Sequence, residues 1–231
     1  MEVGILIATI AVLGTVAAWM SYCPIKAKAK ENKRRVLCIG DSITFGYGVR
    51  YTRWKDSYPA KLEKLLGPSY QVLNYGISGA TLQDEGDKPY SKRFLKAARK
   101  TNPEICILML GTNDSKPQNW NAERYEKELE RRITEIKSFP SSPMIHLMIP
   151  PAAFGTDSKP ALYGIRDDII RDNISSIIKR QARLRNVGLV DLYEITEDHP
   201  ELFADGIHPN ANGNKVIAQF IYEVLNKSFG V

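Results

Sequence analysis

Cysteine and histidine are both scarce in this chain, with three of each among 231 residues. No two cysteines form a CxxC pair, so the sequence predicts neither a disulfide scaffold nor a zinc site. Cys38 and Cys106 lie within apolar runs, where a small buried thiol is the expected role. His146 also lies in an apolar run and is expected to be structural, while His199, in a polar segment before a proline, is expected to be solvated. His208 is therefore the histidine that remains as a candidate for chemistry.

Several signatures of other protein classes are missing as well. The chain has no GxGxxG or Walker phosphate loop, which argues against a nucleotide-binding protein. Its formal net charge is +6, but no zinc finger, helix-turn-helix or RNA-binding aromatic pattern accompanies the charge, so nucleic acid is not a predicted partner. A hydrophobic fraction of 43% and a charged fraction of 25% indicate an ordinary globular domain.

Charge is absent from the run between Val3 and Met20. A helix of this length reaches about 27 Å, near the lower limit for spanning a bilayer. The run fits either an uncleaved membrane anchor or the apolar part of a signal peptide, although no basic residue precedes it as a signal peptide requires. We favour attachment to the membrane and leave its side open. The predicted organisation is an anchor or signal segment at 1–22, a basic linker at 23–35 and one domain at 36–231.

The remaining sequence alternates short apolar runs with amphipathic stretches. Continuous runs rich in Val, Ile and Leu are typical of parallel strands buried on both faces. The alternation predicts a three-layer α/β/α sandwich with a five-stranded parallel sheet, preceded by the N-terminal apolar helix. The predicted strands are Val36–Ile39, Val72–Tyr75, Ile105–Leu110, Met144–Ile149 and Gly188–Leu192. The predicted helices are Tyr58–Leu66, Ser91–Lys100, Ala122–Lys137, Arg166–Asn186 and Asn210–Lys227.

Candidate functional residues follow the first two strands, at the sheet edge where such folds bind ligands. Ser42 lies in the segment Gly40–Gly46 and can expose its hydroxyl at a sharp strand exit. The alternative is a helix N-cap, since Asp and Ser are favoured caps. Gly79 follows the second strand, where its N–H could serve an oxyanion or belong to a plain turn.

The third and fifth strands are followed by residues that complete an acyl-transfer site. The Asn113 amide can donate a hydrogen bond to a developing oxyanion. Asp205 and His208 lie three positions apart, so the carboxylate can orient the imidazole while the other ring nitrogen takes the Ser42 proton. Each motif alone could also be an ordinary turn or loop, but together the motifs predict one site.

These four motifs, in this order, resemble the four sequence blocks of the GDSL/SGNH hydrolase family. They read GDS at 40–42, GISG at 76–79, GTND at 111–114 and DGIHPN at 205–210. The resemblance implies a flavodoxin-like sheet and an oxyanion hole formed by the Ser42 N–H, the Gly79 N–H and the Asn113 side chain. It also implies that Ser42 is the nucleophile, that His208 is base and then acid supported by Asp205, and that no metal or organic cofactor is used.

The substrate expectation rests on weaker sequence features. GTNDSKPQNW at 111–120 and the segment at 86–90 look similar to the carbohydrate or sialate O-acetylesterase branch of that family. We expect a small-molecule or oligosaccharide ester as substrate, with Trp54, Tyr58, Trp120 and Phe154 as rings that bind it. A lysophospholipase or thioesterase acting on lipid esters is one alternative, and a catalytically silent, membrane-tethered carbohydrate-binding module is another. The sequence has no signal for an oligomeric state.

Overall fold

A parallel β-sheet of five strands forms the centre of the molecule. The computed structural model describes residues 29–155 and 161–229, and within them the strand order is β2-β1-β3-β4-β5. The strands are β1 Arg34–Gly40, β2 Tyr70–Gly76, β3 Ile105–Met109, β4 Met144–Ile149 and β5 Gly188–Asp191. The predicted five-stranded parallel sheet is confirmed, and each predicted apolar run lies in or overlaps one strand.

Helices connect the strands as the amphipathic stretches predicted. They are α1 Ser42–Phe45, α2 Arg53–Asp56, α3 Tyr58–Leu66, α4 Lys92–Arg99, α5 Ala122–Lys137, α6 Ser175–Arg185 and α7 Ala211–Phe229. The predicted helix Arg166–Asn186 contains a π-helical stretch, Ile169–Ile174, directly before α6. The helices α1 and α2 were not predicted, because four residues are too few to show a helical period.

Side chains alternate between the two faces of the sheet and form two cores. In β1, Leu37 and Ile39 pack with the helices α4, α5 and α6, while Val36 and Cys38 face α3 and α7. This alternation follows from the two-residue period of a strand, and burial on both faces explains the continuous apolar run within each strand. The three-layer α/β/α sandwich is therefore confirmed, and Cys38 is buried as expected.

The first strand includes two residues that precede the predicted start of the domain at residue 36. Strand β1 begins at Arg34, not at Val36. Arg34 bonds through its Nε to the Glu104 carboxylate at 2.8 Å, and its guanidinium lies 4.7 Å from the centroid of the Tyr70 ring. Arg34 and Arg35 thus belong to the sheet, and at Arg34 the positive charge has a partner within the fold.

The predicted N-terminal anchor or signal segment, residues 1–22, lies outside the described residues and stays a prediction. Among the helices of residues 29–155 and 161–229, none is both long enough and apolar enough to cross a bilayer.

Candidate active site

Ser42 is positioned by an abrupt exit from strand β1. The strand ends at Gly40, and α1 begins at Ser42. The intervening Asp41 caps α1, because its Oδ1 accepts a hydrogen bond of 2.9 Å from the Ile43 N–H. A Cβ atom on Gly40 would lie 2.0 Å from the Thr44 Oγ1, so the turn requires glycine there. The cap and the nucleophile positions are therefore adjacent, and Ser42 stands at the carboxyl end of an inner strand.

His208 is held by a loop that its own aspartate organises. The Asp205 Oδ1 accepts hydrogen bonds from the backbone N–H groups of Ile207 at 3.1 Å and His208 at 2.8 Å. Gly206 allows this turn, since its φ is +81° and a Cβ there would lie 2.2 Å from the Phe154 carbonyl oxygen. The remaining Asp205 oxygen, Oδ2, lies 2.7 Å from the His208 Nδ1.

The opposite nitrogen of the imidazole reaches the serine. The His208 Nε2 lies 2.9 Å from the Ser42 Oγ, although the two residues are 166 positions apart in the chain. Ser42 is 7% exposed and His208 is 5% exposed, so little water reaches this contact. The structure therefore brings Asp205, His208 and Ser42 into one continuous hydrogen-bonded chain, the arrangement in which an imidazole can accept a hydroxyl proton.

Two of the three predicted oxyanion donors, Gly79 and the Asn113 side chain, lie on neighbouring loops. Asn113 begins a short 3-10 turn that follows β3, and its Nδ2 donates to the Ala80 carbonyl at 3.2 Å. Ala80 is next to Gly79, whose φ of +79° lies in the left-handed region. The Ile77 N–H donates to the Gly40 carbonyl at 2.9 Å, which joins the Gly79 loop to the Ser42 loop. The loops after β1, β2 and β3 thus meet at the edge where the sequence predicted them.

Burial and hydrogen bonding set the charges around this centre. Burial alone would raise the pKa of Asp205, but hydrogen bonds from the His208 ring and backbone lower it to about 2. Asp205 is therefore ionised at neutral pH and can stabilise a positive imidazole. Asp41 and Asp114 are fully buried, and burial raises the pKa of each to about 6. Asp41 accepts the Ile43 N–H at the start of α1 and so fixes the loop before Ser42.

Two of the aromatic residues predicted to bind substrate, Tyr58 and Trp54, do not lie at the active site. Tyr58 was expected to contact substrate, and this expectation is wrong, because the residue is 0% exposed and its hydroxyl lies 2.9 Å from the Thr44 Oγ1 inside the core. Trp54 is 70% exposed and lines a groove of about 540 Å³ that runs between α3 and the edge strand β2. Neither Ser42 nor His208 lines that groove.

The other two predicted aromatics are half-buried and pack on neighbouring rings. The Trp120 ring lies 5.7 Å from the Tyr125 ring. Phe154 lies 5.2 Å from the Phe203 ring, and its N–H donates to the Gly206 carbonyl at 2.8 Å. Phe154 therefore supports the loop of His208 from behind, and its role as a substrate contact stays a prediction.

Sequence reasoning missed two aromatic rings that lie near the imidazole. The Tyr47 ring centroid lies 4.6 Å from that of His208, and the Tyr163 centroid lies 6.1 Å away. Tyr47 could have been found, because it follows the Ser42 motif by five residues. Tyr163 offered no signal, since it comes from the distant connection between β4 and α6.

The other two histidines are placed as expected, with His146 buried and His199 exposed beside Glu201.

Known proteins share this sequence pattern. The GDSL-like lipase/acylhydrolase family matches residues 38–216. An acetylxylan esterase of Xylanibacter ruminicola is 34% identical over 223 residues, covering 88% of this chain and 45% of that protein. The chain therefore spans less than half the length of this relative. The protein YpmR of Bacillus subtilis is 25% identical over 227 residues, with 87% of each chain covered.

Solved structures share the fold. Est24, a carbohydrate acetylesterase from Sinorhizobium meliloti, superposes with a TM-score of 0.72 at 21% identity, covering 85% of this chain and 100% of that chain. A family two carbohydrate esterase from Clostridium thermocellum, solved with cellohexaose, has a TM-score of 0.67 at 18% identity, and the match covers 88% of this chain and 67% of that chain. At such low sequence identities, the structural similarity shows that the chain shares the architecture of these proteins. Since the sequence match to the family covers well over half of the 231 residues and includes all four motifs, the chain belongs to the GDSL-like lipase/acylhydrolase family.

Proposed function

We propose that this chain is a serine esterase that removes short acyl groups, and acetyl groups in particular, from carbohydrates. The observation that carries the proposal is the hydrogen-bonded chain from Asp205 through His208 to Ser42, with contacts of 2.7 and 2.9 Å. A hydroxyl is a weak nucleophile at neutral pH unless a base takes its proton, and the imidazole is placed to do so.

The first half of the reaction forms an acyl-enzyme. The Ser42 oxygen attacks the ester carbonyl carbon while its proton passes to the His208 Nε2. The carbonyl oxygen becomes an oxyanion, which the N–H groups of Ser42 and Gly79 and the Asn113 amide would stabilise. When the carbon–oxygen bond of the ester breaks, His208 returns the proton to the departing alcohol. Ionised Asp205 holds the Nδ1–H and compensates the transient positive charge.

The second half releases the acid. A water molecule gives one proton to His208 and attacks the acyl carbon, which forms a second oxyanion. The bond to the Ser42 oxygen then breaks, and His208 returns the proton to that oxygen. The products are a free carboxylic acid, an alcohol and the regenerated serine.

The burial of the centre favours a short acyl group. Ser42 and Asn113 are 7% and 6% exposed, so little of either side chain is open to a bulky acyl group. An acetyl group needs little space beyond that of the carbonyl itself. The similarity to an acetylxylan esterase supports a carbohydrate as the alcohol part.

The enzyme proposal is tested with p-nitrophenyl acetate and the full chain beside its Ser42→Ala variant. We expect turnover by the unmodified chain and a loss of at least about 10³-fold in kcat in the variant, as removal of a nucleophile in a triad causes. Equal rates for the two proteins would refute the proposal and favour the carbohydrate-binding module.

The substrate proposal needs a separate comparison. Acetylated xylo-oligosaccharides, acetylated monosaccharides and a lysophospholipid are compared at one enzyme concentration. A kcat/KM at least about tenfold higher for an acetylated saccharide than for the lysophospholipid would support carbohydrate deacetylation. The reverse preference would overturn it in favour of a lipid esterase.

Attachment to a membrane through residues 1–22 is a separate proposal. The uncharged run from Val3 to Met20 supports it, because its length is near that of a bilayer span. Sedimentation of the full chain with membranes, resistant to high salt and released by detergent, is the expected result. Protease treatment of intact cells would then report the side on which the domain lies.

A further inference from the structure

Tyr163 is an exposed aromatic residue beside the catalytic imidazole. Its ring lies at 65° to the His208 ring, with centroids 6.1 Å apart, and the residue is 61% exposed. Phe154 and Trp120 pack against other rings of the fold, whereas the larger part of Tyr163 remains open to solvent. The fold therefore leaves most of the Tyr163 ring exposed beside the base, whereas the Tyr47 ring, whose centroid lies 4.6 Å from that of His208, is half-buried.

The backbone that presents this ring adopts an unfavourable conformation. Tyr163 has φ +60° and ψ +16°, in the left-handed region that bulky residues rarely occupy. Gly164 follows with φ +71°. Such strain persists only where the surrounding structure fixes it, and it is concentrated at functional sites.

Hydrogen bonds to the loop that carries Asn113 fix the turn that contains Tyr163 and Gly164. The Arg166 N–H donates to the Ser115 Oγ at 3.1 Å, and the Arg166 Nε donates to the Ser115 carbonyl at 2.8 Å. Ser115 belongs to the same short 3-10 turn as Asn113. Ile165, 3% exposed, anchors the turn in the core. The position of Tyr163 is therefore coupled to the loop that carries the predicted oxyanion donor.

The proposed chemistry places the alcohol part of the ester close to this ring. His208 must return a proton to the departing alcohol oxygen, so that oxygen lies within hydrogen-bond reach of the imidazole. A sugar attached to this oxygen extends away from the imidazole by about the width of one ring. It can therefore reach Tyr163. An aromatic ring with a polar tip suits the mixed apolar and hydroxyl surface of a sugar.

We propose that Tyr163 binds the sugar that bears the acetyl group and thereby sets the preference for carbohydrate esters over esters of small alcohols. This inference rests on the proposed function. It assigns substrate recognition to a residue outside the four sequence motifs, and it leaves the acyl-transfer steps to Ser42, Asn113, Asp205 and His208.

The test compares two esters that differ only in the alcohol part. Acetylated xylo-oligosaccharide offers a sugar to Tyr163, whereas ethyl acetate is too small to cover the ring. Three variants are measured on both: Tyr163→Ala, Tyr163→Asn and Tyr163→Phe. Asparagine tolerates the left-handed conformation, so Tyr163→Asn removes the ring and preserves the backbone, while Tyr163→Phe preserves the ring.

We expect Tyr163→Ala and Tyr163→Asn to lower kcat/KM for the oligosaccharide about tenfold, equivalent to about 1.4 kcal/mol, mainly through KM. Their rates on ethyl acetate should stay within about twofold, and Tyr163→Phe should stay near the unmodified chain on both esters. Trp54→Ala, which removes an exposed ring from the separate groove, is the matched control and should change neither rate.

Full oligosaccharide activity in Tyr163→Asn would overturn the inference. An equal loss on both esters would also overturn it, because it would indicate a structural role. Failure of the proposed function has a different signature, since the unmodified chain would then hydrolyse neither ester faster than its Ser42→Ala variant.

Discussion

The Asp114 Oδ2 accepts a hydrogen bond of 2.9 Å from the Leu82 N–H, and its Oδ1 accepts one of 3.0 Å from the Gln83 N–H. The residue after Asn113 thus fixes the loop that contains Gly79. The oxyanion donors proposed at Gly79 and Asn113 lie on different loops, and they must keep their spacing to within a fraction of an ångström to act together. We infer that Asp114 is the positioning residue that maintains this spacing.

Asp114→Asn should therefore slow the reaction without unfolding the protein. An amide offers one acceptor oxygen and turns an NH₂ group toward the second backbone N–H. The loop must shift to relieve that contact, and a misplacement of about 1 Å can cost about 10²-fold in rate. We expect kcat on p-nitrophenyl acetate to fall about 10- to 100-fold.

Asp56→Asn is the matched control for this variant, because Asp56 pairs with Lys61 at the surface of the fold. It should leave kcat unchanged. Thermal unfolding of both variants separates slow catalysis from lost structure. A normal kcat in Asp114→Asn would show that the Gly79 loop keeps its position without the carboxylate.

Two asparagines allow rate and stability effects to be separated. Asn113→Ala removes a proposed oxyanion donor and should lower kcat about 10²- to 10³-fold with little change in KM. Asn121 accepts a hydrogen bond from the Arg124 N–H at the start of α5, so Asn121→Ala should cost about 1 kcal/mol of unfolding free energy and leave kcat unchanged. Loss of rate in both variants, or in neither, would contradict these assignments.

The sheet and the catalytic motifs were predictable because each leaves a local pattern in the sequence. A strand buried on both faces carries a near-continuous apolar run, which is why β1 to β5 could be recognised from composition. The ends of parallel strands meet at one edge, so Ser42, Asn113 and His208 could be placed together from their positions after strands. The π-helical stretch before α6 left no such pattern, because its apolar residues also fit an α-helix.

For the aromatic residues, the local sequence pattern was not sufficient to predict their roles. Exposure of a ring depends on elements far apart in the chain. Tyr58 lies at the start of α3 near the site end, yet packing between α1 and α3 buries it completely. Tyr163 lies beside His208 in a turn that Gly164 permits and that the Arg166–Ser115 hydrogen bonds follow, and no local sequence pattern reveals these features.

Tyr58→Phe tests the structural role assigned to that residue. The substitution removes the hydroxyl that lies 2.9 Å from the Thr44 Oγ1. A buried hydrogen bond of this kind contributes about 1 kcal/mol. We expect unfolding in urea to report a loss of about that size, with no change in kcat/KM for acetylated saccharides. Tyr51→Phe, at a residue 64% exposed, should change neither quantity, and a selective loss of saccharide activity in Tyr58→Phe would restore the substrate role.

Asp205 links the active site to stability in acid. Its pKa is lowered to about 2 in the folded protein, against about 3.9 in an unfolded chain. Because the folded pKa is the lower one, ionised Asp205 stabilises the fold above about pH 4, and this contribution is lost as the pH falls from about 4 through about 2. A shift of this size corresponds to about 2.6 kcal/mol for a group shielded from solvent. Because the Asp205 side chain is partly exposed, we expect a contribution of about 2 kcal/mol, of which roughly half is lost by pH 3.

Asp205→Asn lacks this contribution at every pH, so the difference in unfolding free energy between the two proteins should itself depend on pH. Urea unfolding at pH 7 should show the variant less stable by about 2 kcal/mol, and the gap should narrow to about half at pH 3. Other carboxylates titrate in both proteins, so their effects cancel in the comparison. A gap that stays constant between pH 7 and pH 3 would show that the loss comes from packing and not from the ionised Asp205 carboxylate.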